Sequence, residues 1–340
     1  MTMRTSPWLT IGCAVLGLTL VAITPLCIHN NYYLSVLAFV AINTILAVGL
    51  NLLMGYAGQV SLGHAAFFGL GAYSSAILTT QYHVSPWLAL LAGLVVTSSI
   101  ALLIGIPCLR LTGHYLAMAT LGFGWIVYIV MVHWSALTGG TSGIEQIPKL
   151  AIGSLVFGDD TSRLYLTWTV AILLLALSAN IVNSRVGRAL RALHSGEMAA
   201  ASLGVNPARY KVQVFVLSAA YASIAGSLYA HTVNFISPSS FGFVFSVELV
   251  VMVVIGGMAS VWGAPIGAGA ITLLAEWLRS VGEAVPVFKE FDVIAHGAIL
   301  ILVMIFMPAG LTCGVRDLFG KWSRRRAPLP VSRQSEEAAP

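Results

Sequence analysis

Few side chains in this sequence could carry chemistry, and their spacing decides against most of what they could do. Gly140-Thr141-Ser142-Gly143 sets a hydroxyl between glycines, and His296 is the candidate base for it. A nucleophilic serine needs that base within hydrogen-bond reach in a sheltered pocket. Ser142 instead falls in a polar stretch, about 136–163, with Glu145, Lys149, Asp159 and Asp160, which reads as an outer loop. Cys13, Cys27, Cys108 and Cys313 are scattered and form no CxxC pair, so neither a disulfide framework nor a thiolate zinc site is expected. GxxxxGK[ST] is absent, so the chain carries no phosphate-binding ATPase loop. His64, His114, His231 and His296 sit in or beside apolar runs, where a lone histidine is more often a packed, hydrogen-bonded side chain than a ligand. His64 stands apart because it follows a glycine-rich interruption. No cofactor and no metal are expected.

The elements that must position these residues are membrane helices. Of 340 residues, 58% are hydrophobic and 9% charged, and the mean hydropathy is +0.90. That leaves too little charge to clothe a water-soluble surface. Between Arg4 and Arg110 there is no Lys, Arg, Asp or Glu. The fold class is therefore an all-α polytopic membrane protein in a lipid bilayer. Runs of about 20 apolar residues suffice to span, and they fall near 8–28, 33–54, 62–80, 87–108, 115–135, 164–183, 212–233 and 293–311. The first run is read as a span rather than a signal peptide, because no clear cleavage site follows it. Residues 246–279 would measure about 50 Å as one helix. Helix breakers from Gly256 to Pro265 divide them into two short spans, giving about ten transmembrane helices. With ten, all but Lys149, Arg163, Arg279 and Lys289 of the seventeen basic residues share the side of both termini, which is then the cytoplasm. The net charge of +5 thus reports topology and not nucleic acid. Residues 1–320 form the transmembrane domain, with a cytoplasmic loop at 184–211, and 321–340 read as a disordered cytoplasmic tail.

Two glycine-broken segments echo one another: Gly55 to Gly63, and Gly256 to Pro265, each followed by Gly-x-Gly-Ala. Paired broken segments often mark a transport site near the bilayer midplane, although small residues also serve simple helix packing. The candidate pathway residues are Gly55, Gly58, Gln59, Ser61, Gly63, His64, Glu248, Gly256 and Gly257. Span centres hold no ionisable group, which leaves a coupling proton or sodium ion no obvious site. Glu248 and Glu276 fall near outer span ends, and Glu276 is spaced to pair with Arg279.

The loop 184–211 can form short amphipathic helices, with Leu190, Leu193, Ala200 and Leu203 as an apolar stripe beside polar faces. Gly204 and Pro207 stop the second helix. The candidate coupling residues are Gly187, Arg188, Arg191, Glu197, Ala200, Leu203 and Gly204. The alternative is a solvated loop whose arginines only hold orientation.

Five motifs in order carry a resemblance. They are Gly49-Leu-Asn-Leu-Leu-Met-Gly-Tyr-Ala-Gly-Gln-Val-Ser-Leu-Gly-His64, Leu137-Thr-Gly-Gly-Thr-Ser-Gly-Ile144, Gly187-Arg-Ala-Leu-Arg191, Ala199-Ala-x-x-Leu-Gly204, and Gly256-Gly257 followed by Gly263-Ala-Pro-Ile-Gly-Ala268. From about 33 to 311 the chain resembles the LivM-like permease subunits of ABC importers for branched-chain amino acids. Ala201 stands where that family often has Glu, and Ser142 where it often has Asn. The resemblance implies a type-II-like importer permease in a bacterial inner membrane. It would work with a second homologous permease subunit, two ABC ATPase subunits that hydrolyse the ATP, and an extracytoplasmic solute-binding protein. The alternatives are a related permease for urea, short amides or aromatic acids, and a rhomboid-like intramembrane serine protease built on Ser142.

Overall fold

A helix that is apolar all round has no face for water and lies either inside the protein or against lipid. The first is the state of α1 (Asn31–Asn51), which starts where the Asn30 side chain accepts a hydrogen bond from the Tyr32 amide at 3.0 Å. The run continues through a π-helical turn, Leu52–Tyr56. The computed structural model describes residues 30–152 and 155–284, with single helical positions at 25 and 297. Beyond those single positions, the expected spans at 8–28 and 293–311 and the tail 321–340 lie outside the described residues.

The remaining elements are α2 (His64–Thr80), α3 (Pro86–Cys108), α4 (His114–His133), the short α5 (Ser135–Thr138), α6 (Asp160–Asn183), α7 (Arg185–Ser195), α8 (Glu197–Ser202), α9 (Pro207–Val233), α10 (Phe243–Gly256) and α11 (Gly263–Ala284). A two-stranded antiparallel hairpin pairs β1 (Ala151–Ile152) with β2 (Leu155–Val156). Among the described residues, five helices are long and apolar enough to cross a membrane: Asn31–Tyr56, α3, α4, α6 and α9. Each run expected between 33 and 279 falls on a helix, although α2, α10 and α11 are not among these five, and the expected division of 246–279 lies between α10 and α11.

Water supplies no driving force between helices inside a bilayer, so close packing must do so, and small residues permit it. On α9, Gly226 lies against the backbone of Phe68 and Ala72 on α2, and on α2, Gly71 lies against Ser223. The Ser227 hydroxyl donates to the Gly71 carbonyl at 3.2 Å, which satisfies a polar group without widening the contact. Helices α1, α2 and α9 form the centre. By contrast α3 and α4 are peripheral and expose Leu103, Met118 and Ile126.

The loop that follows α5 is pinned to the end of α9. Ile144 and Ile236 exchange backbone hydrogen bonds at 2.9 and 3.0 Å. His231 bonds Ser75 through Nε2 at 2.8 Å and the Pro148 carbonyl through Nδ1 at 2.7 Å. It is a packed, fully partnered side chain, as expected. His114 is exposed at the start of α4, and His296 lies outside the described residues. Ser142 is exposed in a 3-10 turn. The serine–histidine contact that does form, Ser75 with His231, is sealed between α2 and α9, where no peptide could reach it. The expected Glu276–Arg279 pair does not form. Glu276 instead accepts from the Tyr32 hydroxyl of α1, because Glu276 and Tyr32 face each other where α11 packs on α1.

Candidate functional site

The two glycine-broken segments, some 200 positions apart in sequence, meet in space, and Asn51 joins them. Its Nδ2 donates to the Ser260 carbonyl at 2.7 Å, and its Oδ1 accepts from the Ala259 amide at 3.1 Å. Gly55, one turn further on, has no Cβ, which leaves room for the Ala259 backbone. Gly256 lies against Gly263 and Gly267, which closes the α10–α11 turn, and Gly257 has a φ of +107°. Asn51 was part of a quoted motif but was not singled out. An amide at the end of a largely apolar helix, directly before a break, was the available signal. Replacing it with Leu leaves the Ala259 amide and the Ser260 carbonyl without partners. Ala259 is exposed and Ser260 half-buried, so water can replace part of the loss, and Asn51→Leu should cost about 1–3 kcal/mol. A lower thermal midpoint of the detergent-purified protein would register that loss.

The first break is a re-entrant path rather than a simple kink. Gly58 takes a φ of +69° and ends the π-helical turn, its amide bonding the Met54 carbonyl and the Gln59 amide the Leu53 carbonyl, both at 3.1 Å. Exposure then alternates along 58–61, with Gly58 and Val60 exposed and Gln59 and Ser61 buried. The Leu62 amide donates to Thr120 on α4 at 3.1 Å, and the Ala65 amide to Ser246 on α10 at 3.1 Å. His64 is buried beside the Leu46 backbone. Leu46 stands about 15 Å along α1 from Tyr56 at 1.5 Å per residue. The path therefore leads from the end of the first helix back into the packed interior.

This segment concentrates unpaired buried polar atoms. Both side-chain ends of Gln59, the Ser61 hydroxyl and His64 Nε2 are buried without a hydrogen-bond partner. Buried polar groups are nearly always paired in native structures, and the exceptions call for a ligand, water or function. Glu248 lies half-buried in α10, two residues beyond Ser246.

The loop 184–211 folds as expected into two short helices, α7 and α8. Ser184 caps α7 by accepting from the Val186 amide at 3.1 Å, and Gly187 lets α7 start against the Val182 backbone. The expected apolar stripe is divided, however. Leu190, Leu193 and Ala200 are buried against the body, whereas Leu203 is 83% exposed and Met198 87% exposed. The stripe splits because α7 and α8 are separate helices meeting at Gly196, so one helical period does not run through both. Glu197 pairs with Lys211 and ties α8 to α9. Arg188 is exposed, and Arg191 is half-buried. The loop also touches the first break, since a Cβ on Gly58 would stand 2.7 Å from His194 Nδ1.

Residues 32–307 match the family described as branched-chain amino acid transport system / permease component. The chain is 37% identical over 291 residues to the high-affinity branched-chain amino acid transport system permease protein LivM of Salmonella typhimurium, covering 78% of this chain and 67% of that one. It is 36% identical to LivM of Escherichia coli over the same shares. To LivH of Escherichia coli it is 29% identical over 283 residues, covering 78% of this chain and 90% of that one. No solved structure matches.

Proposed function

Because the chain belongs to the family of branched-chain amino acid transport permease components, we propose that it is one membrane subunit of an ATP-driven importer for branched-chain amino acids. A second permease of the same family completes the pathway, an extracytoplasmic binding protein delivers the solute, and two separate ABC ATPase subunits supply the energy. About ten spans with both termini in the cytoplasm, in a type-II-like arrangement, fit the distribution of basic residues. One observation carries this reading beyond family membership. The re-entrant segment runs from Gly58, in contact with the loop helix α7, to His64 in the interior, and its buried polar atoms lack partners. Such a segment links a surface that an ATPase can move to a path that a polar solute can use. Gln59, Ser61, His64 and Glu248 are the side chains assigned to that path. Ser142 is assigned no catalytic role.

Uptake of labelled leucine, urea and benzoate in a strain lacking this gene tests the assignment. Leucine uptake should fall at least tenfold and return with the gene. Deleting the ATPase subunits should abolish it even when proton and sodium gradients are intact. Loss of urea or benzoate uptake with leucine uptake unchanged would move the solute to the other permease reading. Uptake driven by a gradient alone would remove the ATP-driven one.

A further inference from the structure

Two helices begin at one cavity. The cavity has a volume of about 300 Å³ and lies between the end of the re-entrant segment, the middle of α4 and the first turn of α10. Leu62, Leu121, Trp125, Tyr128 and Phe241 supply its apolar walls, and none of its lining side chains is charged. Gly242, Phe243 and Val244 close one end, and these are the N-cap and first residues of α10. Gly242 provides no capping side chain, and α10 has no acidic residue in its first turn. The start of α2 lies beside it, joined through the Ala65–Ser246 hydrogen bond.

Depth can be read along the helices. Ser246 stands about 15 Å from Gly256 at 1.5 Å per residue, and the far end of α10 is held level with Asn51 and Gly55. His64 reaches a similar depth through Leu46. The cavity is therefore interior to the span, where broken helices present the positive ends of their dipoles.

We propose that this cavity is a side-chain-selective subsite for an aliphatic α-amino acid within this subunit. The inference rests on the proposed import function and goes beyond it by naming the residues that set the size of the solute. The carboxylate takes the free amides at the start of α10, where helix N-termini hold anions, and the Ser246 hydroxyl has its own proton left to donate. The ammonium group faces the rings of Trp125 and Tyr128 and the Tyr128 oxygen. The branched side chain fills the space bounded by Leu62, Leu121 and Phe241. A volume near 300 Å³ is at the small end of ligand pockets, which suits one amino acid. A lipid tail would use the apolar walls but gain nothing from an uncapped helix start. Ser61 and His64, with their unpaired buried atoms, flank Leu62 in the sequence and continue the polar route away from the cavity.

Gly124 allows a clean test. It lines the cavity, and a Cβ built there meets only the Gly63 Cα at 3.6 Å and the Leu62 carbonyl at 3.9 Å, so a side chain fits the backbone and fills the space. Gly122, two residues away on α4, is not among the lining residues and has nothing within 4 Å of its Cβ position. In the full importer, Gly124→Leu should lower leucine uptake at least tenfold and valine uptake less, so that the valine-to-leucine ratio rises. One methylene in an apolar pocket is worth roughly 10- to 200-fold. Gly122→Leu should leave both rates within twofold. Leu121→Ala, which enlarges the cavity, should raise phenylalanine uptake relative to leucine several-fold, and it serves if Gly124→Leu fails to assemble. Unchanged ratios in assembled Gly124→Leu and Leu121→Ala importers would overturn the subsite and leave the import function standing. A wild-type importer that takes up no leucine would overturn both.

Discussion

Leu203→Asp is expected to abolish co-purification of the ATPase subunits and leucine uptake, with the permease still inserted in the membrane in wild-type amount. The side chain is 83% exposed on the loop, so a charge there costs the fold of this chain little. Large exposed apolar side chains such as Leu203 and Met198 are anchors of the kind that dominates helix-in-groove contacts. Placing a carboxylate in such a contact desolvates it without a partner. Loss of more than tenfold in bound ATPase subunits is the expected size, and Met198→Asp should behave alike. Gly204→Val acts differently. Gly204 follows α8 at a φ of +82° and completes a Schellman stop, with its amide to Ala201 at 3.0 Å and the Val205 amide to Ala200 at 3.1 Å. Its Cβ would meet nothing within 4 Å, so the penalty is only the backbone strain of a left-handed residue, about 1–3 kcal/mol. A partial loss of assembly is expected there. Transport and assembly by Leu203→Asp at wild-type level would mean that the loop arginines only hold orientation.

The sequence located the helices well because a bilayer demands long apolar runs, and breakers within them are conspicuous. The division of 246–279 follows from glycine and proline positions, and the two loop helices from their apolar spacing with Gly204 and Pro207 as the stop. Which face of each helix is buried was much less legible. A helix apolar all round carries no period that distinguishes core from lipid or partner, so α1, which is central, and α3, which is peripheral, read alike. The same limit explains the divided loop stripe. Leu190 and Leu203 are equivalent by type, and only the turn at Gly196 directs one inward and the other outward. The meeting of the two breaks was suggested by their similarity, but Asn51, which makes the joint, was an unremarked residue inside a motif. Glu276 was assigned the nearest opposite charge in sequence, and the structure gives it a tyrosine from another helix. The cavity at the start of α10 had no sequence signal, since its walls are ordinary apolar residues of four separate segments.

Gly58→Val should uncouple the importer without disassembling it. Gly58 holds a φ of +69°, and a Cβ there would press on the His194 ring at 2.7 Å. The substitution therefore strains the turn that launches the re-entrant segment and pushes α7 away from it. The surface assigned to the ATPase, at Met198 and Leu203, lies on α8, beyond Gly196, and is untouched. ATPase subunits should co-purify normally while leucine uptake falls at least tenfold, and hydrolysis should no longer respond to the loaded binding protein. His194→Ala has no such effect alone, because His194 is exposed. Combined with Gly58→Val it removes the steric part of the penalty and leaves the backbone part, about 1–3 kcal/mol. The double variant should thus recover some, but not all, of the lost uptake. Full uptake by Gly58→Val would show that the contact between α7 and the re-entrant segment transmits nothing. Equal loss with and without His194→Ala would place the whole effect in the turn and none in the contact.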